Sequence, residues 1–464
     1  MNKKEITDKK VIPLLQELIQ NRCVNTGDPN SGQEIRSAKT LDRFFREYGL
    51  ESTIIEAAPG RANLILRIPG NNPIAPSLAF MSHLDVVPAD EQAWDTDPFG
   101  GELINGYVHG RGCVDMLNVT AAMAVAFAEF YKNNGQAEGD LLYIAAADEE
   151  ASGRLGARWL VEEHWNLVKC DYMITELGGY FISSENGPVP TITLGEKGIA
   201  WLKLGFSGTT SHGSMPYKTD NALQKASKAA LQIQSALTKV EFHPVYDKML
   251  KSLVPSIIER LFLKMPLTSE WKLEEIYKSS PGKARFLHAG CRNTYSANML
   301  HAGNKINIVP NYAELDIDAR ITPECGVEDV QTEIKNILDS IGKSATIEFT
   351  EFFPANISEE NTPLMEATKQ IIRQHYPNTG IAQLFISGVT DGRFWRQRGT
   401  TVYGFSLFDT DLTLDEYSSM LHGPNEKVSE KSLEKSFSYF LDLPEVFYSL
   451  ESEDTYTYKE KENG

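Results

Sequence analysis

The chain is poor in positive charge and has no long apolar run, and each shortage excludes a class of partner or location. Its 464 residues contain 45 Lys and Arg against 63 Asp and Glu, which gives a formal net charge of −18. Nucleic acids and anionic membranes are bound by clustered basic side chains, so we expect neither as a partner. No stretch approaches the roughly 20 apolar residues of a membrane span, and the segment MNKKEITDKKVIPLLQELIQ lacks the apolar core of a secretory signal.

Cysteine is also scarce. The five cysteines are odd in number and none has the CxxC spacing of a thiolate metal site. Scattered thiols of this kind are typical of the reducing cytoplasm, where we expect the protein to be located. They are Cys23, Cys113, Cys170, Cys291 and Cys325.

Short apolar runs alternate with helix-like stretches along the first part of the chain. The runs NLILRI, SLAFMSHLDVV, DLLYIAAADEE and DYMITELGG are typical of buried strands that end in polar residues. The alternation predicts an α/β fold with a mostly parallel sheet and helices on both faces. In such sheets the functional groups gather beyond the carboxyl ends of the strands.

The pattern changes near residue 195. The segment EKGIAWLKLGFSG alternates apolar and polar residues, which indicates a sheet with one wet face. Because the length favours more than one core, we predict a smaller α+β domain inserted into the first domain. The expected ranges are 1–195 and 352–464 for the two parts of a catalytic domain and 196–351 for the inserted domain, with an irregular further insertion near 244–290.

Histidines and carboxylates follow several of the predicted strands. In SHLDVVP, His83 and Asp85 lie two residues apart, so their side chains share one face of an extended strand. A carboxylate beside a metal-bound imidazole commonly fixes its tautomer. In ADEE, Glu149 and Glu150 are adjacent and point in different directions, so one can bind a metal while the other acts as a general base.

Three further residues complete the candidate set. Asp115 follows the glycine-flanked turn of GRGCVDM, Glu176 closes the apolar strand DYMIT, and His422 lies in LHGPNE. Each alone is compatible with a structural role, such as a helix cap for Asp115. Together with the residues of SHLDVVP and ADEE they supply nitrogen and oxygen ligands, which suit zinc, cobalt or manganese. A pair of such ions needs one bridging carboxylate.

The order of these motifs resembles a known family. The motifs resemble those of zinc metallopeptidase family 20, which includes aminoacylase, acetylornithine deacetylase, succinyl-diaminopimelate desuccinylase, carboxypeptidase G and several dipeptidases. The resemblance extends over nearly the whole chain. The segments that carry it are SHLDVVP, WDTDPFGG, YVHGRGCVDM, ADEE, ITELGG, GEKG, SHGSMP, INIVPNYAELDIDARI, SGVTDGRFWR and HGPNE.

The resemblance implies a co-catalytic centre with two divalent metal ions, most commonly zinc. Within it, Asp85 orients a metal-bound histidine. Glu149 takes a proton from the attacking water and passes it to the leaving nitrogen. The implied ligands are His83, Asp115 and Glu176 for one ion and Asp115, Glu150 and His422 for the other.

The resemblance also assigns substrate contacts. It implies that the inserted domain is a lid or dimerisation domain, in which His212 stabilises the tetrahedral oxyanion and Asn307 contacts the substrate. His212 would act within its own chain or across a homodimer. Arg393 would grip a substrate carboxylate, which is a natural bidentate task.

Two functions of different classes follow from this reading. The first is a hydrolase that cleaves an amide bond in a small peptide, as a dipeptidase or carboxypeptidase, or in an N-acyl amino acid. The second is a catalytically silent binding protein that keeps the fold. The complete set of ligands together with Glu149 favours the hydrolase.

Overall fold

The structure is a computed structural model that describes residues 1–184, 187–241, 243–342 and 345–462. Its contacts divide the chain into two compact units. Unit 1 comprises Met1–Leu194, Ser358–Leu384 and Thr390–Gly464, and unit 2 comprises Gly195–Ile357 and Phe385–Val389. No helix in the described ranges is long and apolar enough to cross a membrane.

Helices and strands alternate through the first part of the chain. The helices are α1 (Lys3–Ile6), α2 (Ile12–Gln20), α3 (Ile35–Arg46), α4 (Leu117–Asn134), α5 (Ala157–Glu163) and α6 (Trp165–Val168). The strands are β1 (Thr53–Ala58), β2 (Arg61–Ile68), β3 (Leu78–His83), β4 (Glu102–Ile104), β5 (Tyr107–His109), β6 (Leu141–Ala146), β7 (Tyr172–Thr175), β8 (Phe181–Ser184) and β9 (Gly187–Glu196).

The remaining elements follow in chain order. The middle segment contains β10 (Gly198–Ser207), β11 (Ser211–His212), α7 (Ala222–Gln234), α8 (Pro244–Leu253), α9 (Ile257–Lys264), α10 (Pro266–Ser279), α11 (Pro281–Gly290), β12 (Thr294–Ala302), β13 (Ile308–Val309), β14 (Tyr312–Ile321), α12 (Val327–Gly342), β15 (Thr346–Phe353) and β16 (Asn356–Ile357). The last segment contains α13 (Pro363–His375), β17 (Ala382–Ile386), α14 (Gly392–Arg396), β18 (Thr401–Gly404), α15 (Leu414–Met420), β19 (Lys427–Ser429) and α16 (Glu430–Glu462).

The central strands of unit 1 are parallel. The sheet has the order β1, β2, β6, β3, β7, β18, β9, in which β6, β3, β7 and β18 pair in parallel. The edge strands β1 and β2 pair antiparallel with each other, and β2 pairs antiparallel with β6. This architecture confirms the predicted α/β class and its largely parallel sheet.

The core of unit 1 explains the sequence pattern of its strands. Every residue of β3 and β6 is buried, as expected for continuous apolar runs in the middle of a covered sheet. Helix α4 is buried from Leu117 to Phe130 and contacts α16, α2 and the two strands. Edge-to-face aromatic contacts fill the space between these elements. They involve Phe45, Phe80, Phe127, Tyr143 and Phe440.

Unit 2 is built on an antiparallel sheet with the order β12, β14, β10, β15. Buried and partly exposed residues alternate along β14, as the sequence pattern of a sheet with one wet face predicts. The buried side chains pack against α7 and α12 and form a separate core. Unit 2 therefore has the mixed α+β character expected of the inserted domain.

The segment from Pro244 to Gly290 is helical, and the expectation of an irregular insertion was wrong. It forms α8, α9, α10 and α11. Three of these helices begin with proline, which is preorganised for a first helical turn, and the side chains of His243 and Ser256 cap the N-termini of α8 and α9. Because the helices are short and several of their apolar side chains remain exposed, their helical period is hard to see in the sequence.

A glycine at the end of ITELGG provides a test of the packing in unit 1. Gly179 has a φ of 95°, and an added Cβ would lie 1.6 Å from the backbone oxygen of Ser406. We expect Gly179→Ala to lower the Tm by about 5 °C or more, because backbone must move. Gly380→Ala is the control, since its Cβ meets no atom within 4 Å. Equal Tm values for the two variants would contradict this packing.

Candidate metal centre

The carboxyl ends of three neighbouring parallel strands bring the candidate residues of unit 1 together. His83 is the last residue of β3, and Glu176 follows β7 directly. Glu149 and Glu150 lie in a short 3-10 turn shortly after β6. Since parallel strands end at the same edge of a sheet, residues far apart in sequence become neighbours there.

Asp115 lies between two histidines, two residues before α4. Its Oδ1 atom is 3.1 Å from His83 Nε2, and its Oδ2 atom is 3.4 Å from His422 Nε2. Nε2 of His83 also lies 3.4 Å from Glu176 Oε2, and Nε2 of His422 lies 3.2 Å from Glu150 Oε2. The five side chains thus form two groups of three that share Asp115.

Each group has the dimensions of a metal site. Within the first group (His83, Asp115, Glu176) the ligand atoms all lie within 4.8 Å of one another, and the same holds within the second group (Asp115, Glu150, His422). The structure therefore brings together both of the ligand sets that the resemblance implies. Of the five residues, only His422 is substantially exposed, with 52% of its side chain accessible.

The two groups concentrate ionisable side chains that perturb one another. Hydrogen bonds to Asp115 and Glu150 raise the pKa of His422 to about 10. Burial raises the pKa of Glu176 to about 8. Burial opposes ionisation of Asp115, but hydrogen bonds from His422 and His83 hold its pKa far below the usual value.

A divalent cation fits both groups. Glu150 Oε1 is buried and has no hydrogen-bond partner in the described part of the chain. A buried carboxylate oxygen without a partner is costly, and a cation removes that cost. The donor set is made only of imidazole nitrogen and carboxylate oxygen, which divalent zinc, cobalt and manganese accept.

The sequence model of peptidase family M20/M25/M40 matches residues 79–445. The chain belongs to this family. Membership confirms the predicted family and the predicted reaction class, hydrolysis of a C–N bond. The family is metal-dependent, and the two groups around Asp115 are the candidate metal-binding groups of this chain.

Three relatives illustrate the similarity. The N-fatty-acyl-amino acid synthase/hydrolase PM20D1 of Mus musculus is 26% identical over 405 residues, which cover 84% of this chain and 77% of the mouse protein. The M20 family metallo-carboxypeptidase Sso-CP2 from Sulfolobus solfataricus has a TM-score of 0.70 at 18% identity, with 96% of this chain and 99% of that chain covered. Human carnosine dipeptidase 1 has a TM-score of 0.65 at 17% identity, with 96% and 97% covered. The two structural likenesses show a shared fold.

In this M20-family chain, Asp85 holds the turn that carries Glu149 and Glu150. Its Oδ1 and Oδ2 atoms accept hydrogen bonds from the backbone N–H groups of Glu149 and Glu150, over 3.2 and 3.1 Å. His83 Nδ1 is 3.0 Å from the backbone oxygen of Asp85 but 3.6 Å from its carboxylate. The expected contact to His83 is therefore made chiefly by the backbone of Asp85, and its carboxylate is directed to the turn.

The same turn depends on charged residues that are not among the predicted site residues. Asp148 has a φ of 66° and accepts hydrogen bonds from Arg61 Nη2 at 2.7 Å and Asn25 Nδ2 at 3.1 Å. Arg61 also forms a two-pronged, fully buried pair with Glu34. The sequence does contain one indication of this pairing. Arg61 stands at the start of an apolar strand, where a buried charge requires a partner of opposite charge.

Arg393 is directed to backbone oxygens. Its guanidinium is buried, with Nη1 donating to Thr390 O at 2.8 Å and Nη2 donating to Ser152 O at 3.1 Å. The side chain thereby holds the segment that follows the glutamates of ADEE. The predicted role of Arg393 toward a substrate carboxylate stays a prediction. The motif SGVTDGRFWR contributes a second buried side chain, that of Asp391. Burial raises the pKa of Asp391 to about 7.

His212 and Asn307 lie in unit 2, where β11 and β13 form a two-stranded ribbon. His212 pairs with Ile308, and Gly213 N donates to Asn307 O over 2.8 Å. Both predicted substrate residues are exposed, and His212 Nδ1 is 2.7 Å from Ser214 Oγ. The structure brings these two residues next to each other, and their roles toward substrate stay predictions.

The raised pKa values predict that metal binding releases protons. The pKa of His422 is about 10 in the folded chain, against 6.5 ordinarily. Protonation of His422 therefore stabilises the metal-free protein fully below pH 6.5. This stabilisation is lost as the pH rises through about 10. The carboxylates of Glu176 and Asp115 likewise raise the pKa of His83, against the effect of burial. Binding of the two ions must displace these protons, and also the proton that Glu176, with its pKa of about 8, holds at neutral pH.

We expect zinc binding at neutral pH to release at least about two protons per pair of ions and to tighten as pH rises. Calorimetric titrations in two buffers of different ionisation enthalpy measure the released protons. Binding heats that are equal in both buffers, with an affinity independent of pH, would contradict the protonation described here.

Proposed function

We propose that this chain is a co-catalytic hydrolase that uses two divalent ions, preferably zinc, to cleave an amide bond of a small peptide or an N-acyl amino acid. The observation that carries the proposal is the position of Asp115, whose two carboxylate oxygens face different histidines. One ion would be held by the first group and the other by the second. When bound, such a pair polarises the substrate carbonyl and lowers the pKa of the attacking water.

Glu149 is the group that moves the proton in this proposal. Burial, followed by the charge of Glu176, raises the pKa of Glu149 well above its usual value. A carboxylate with a raised pKa takes a proton more readily at neutral pH than an ordinary glutamate does. Glu149 then gives this proton to the nitrogen that leaves. The bonds from Asp85 to the turn hold the base in place throughout.

The relatives support a substrate with a free carboxylate. A carboxypeptidase substrate, a dipeptide and an N-acyl amino acid share one feature: the nitrogen of the scissile amide belongs to an amino acid whose carboxylate is free. Relatives named for each of these activities match the chain. We assign the substrate contacts to unit 2, with His212 stabilising the oxyanion and Asn307 contacting the substrate.

Unit 2 has a surface suited to pairing two copies of the chain. Strand β12 lies at the edge of its sheet, and the side chains of Met299 and Leu300 are 55% and 40% exposed. Edge strands with exposed apolar side chains associate readily. We propose a homodimer formed through this domain, in the cytoplasm, where the five free thiols would remain reduced.

The function is tested by hydrolysis of a panel of dipeptides and N-acyl amino acids, each with a free and an amidated carboxylate. We expect cleavage that is lost on chelation, returns with zinc, cobalt or manganese, and is much weaker for the amidated compounds. A protein that binds zinc but cleaves no member of the panel would be the silent binding protein of the alternative reading.

Replacing the base separates catalysis from metal binding. We expect Glu149→Gln to lower kcat about a thousandfold, because general acid–base transfer is lost, while the metal content stays that of the wild type. Elemental analysis and steady-state kinetics provide the two readouts. Glu163→Gln, which changes an exposed glutamate of α5, is the matched control. Full activity in Glu149→Gln would remove this residue from the role of base.

A further inference from the structure

Two buried charged residues near the second group have no task in the reaction described above. Arg111 precedes Asp115 in GRGCVDM, and Glu426 follows His422 in HGPNE. Their side chains are 4% and 0% exposed, and Arg111 Nη1 donates to Glu426 Oε2 over 3.1 Å. Desolvating both charges costs a large free energy, so a buried ion pair needs further hydrogen bonds to offset that cost.

The further hydrogen bonds of this pair join two loops that are distant in sequence. Arg111 Nη2 donates to the backbone oxygen of His422 over 3.3 Å and to that of Pro88 over 3.3 Å. Glu426 Oε2 accepts from the backbone N–H of Gly112 over 2.8 Å. The pair therefore contacts the main chain of the Asp115 loop and of the His422 loop at once.

The position of His422 requires such an anchor. Its side chain is half exposed, so close packing does not hold it in place. Its backbone φ is 55°, a left-handed conformation that costs a non-glycine residue free energy and persists only where the surroundings enforce it. The residue lies in the short connection between α15 and β19, outside any regular element. Bonds to its main chain consequently determine where its imidazole lies relative to Asp115.

We propose that Arg111 and Glu426 are positioning residues that set the affinity of the ion held by Asp115, Glu150 and His422. The inference rests on the two-ion centre of the proposed function. Neither side chain needs to touch the ion or the substrate. They act by holding the backbones of two ligand loops in register, and loss of comparable outer contacts typically weakens metal binding 10- to 100-fold.

The test uses Arg111→Lys and Glu426→Gln in the full-length protein, with zinc affinities measured by competition against a chelator. Lysine keeps the charge but has no planar fork to reach Glu426 and His422 together. Glutamine keeps the shape and the acceptor for Gly112 but removes the ion pair. In each variant we expect one zinc ion to bind at least about tenfold more weakly and the other to change by less than about threefold.

His422→Ala serves as the reference variant, since it removes a ligand of the second group alone. The ion weakened in Arg111→Lys should be the one lost in His422→Ala, and excess zinc should restore kcat in both positioning variants. Glu129→Gln is the matched control for loss of a buried pair, because Glu129 binds Lys10 and Tyr48. It should lower the Tm and leave both zinc affinities unchanged.

Three results would overturn the inference. They are unchanged zinc affinities in both positioning variants, equal weakening of both ions, and the same weakening in Glu129→Gln. Wild-type protein that binds fewer than two ions would instead contradict the proposed function, so the two failures are distinguishable. If Arg111→Lys does not fold, the isosteric Glu426→Gln variant decides the question.

Discussion

The carboxylate of Asp115 is shared by two histidines, and the rest of unit 1 is arranged around that sharing. Its two oxygens lie 3.1 and 3.4 Å from imidazole nitrogens of two histidines that are distant in sequence. Around it, the carboxyls of Glu150 and Glu176 are buried, and burial raises the pKa of both because their negative charge is unfavourable without a compensating cation. The folded chain therefore holds together a cluster that would repel itself in isolation. The free energy to do so comes from the apolar core beneath the strands and from polar contacts behind the ligands.

Those polar contacts follow a common plan. The loops that carry Glu149, Glu150 and His422 have their main chain bound by buried charged side chains from elsewhere in unit 1. Asp85 binds the backbone of the Glu149 turn, Arg393 binds the segment after it, and Arg111 binds the backbone of His422. Fixing the backbone leaves the functional side chains with the orientation that the chemistry needs. It also keeps reorganisation on metal or substrate binding small.

Much of this could be predicted from sequence, for identifiable reasons. Parallel strands were recognisable from their continuous apolar runs, and His83 and Glu176 had to meet because both end such strands. The contacts of Arg393 with backbone oxygens show the limit of prediction from sequence, because the direction of a guanidinium depends on which carbonyls the fold places near it. The pairing of Arg111 with Glu426 spans 315 residues, and no local pattern reveals such a partner. The helices between Pro244 and Gly290 were missed because they are short and incompletely covered.

In the proposed centre the carboxylate of Asp115 serves both ions, and the metal content of Asp115→Ala tests this sharing most directly. Wild-type protein reconstituted with zinc and freed of excess should contain about two ions per chain by elemental analysis. Because both groups lose a ligand at once, Asp115→Ala should retain neither ion, whereas Glu176→Ala and His422→Ala should each lose only one. Retention of a full ion by Asp115→Ala, at wild-type affinity, would contradict the shared carboxylate.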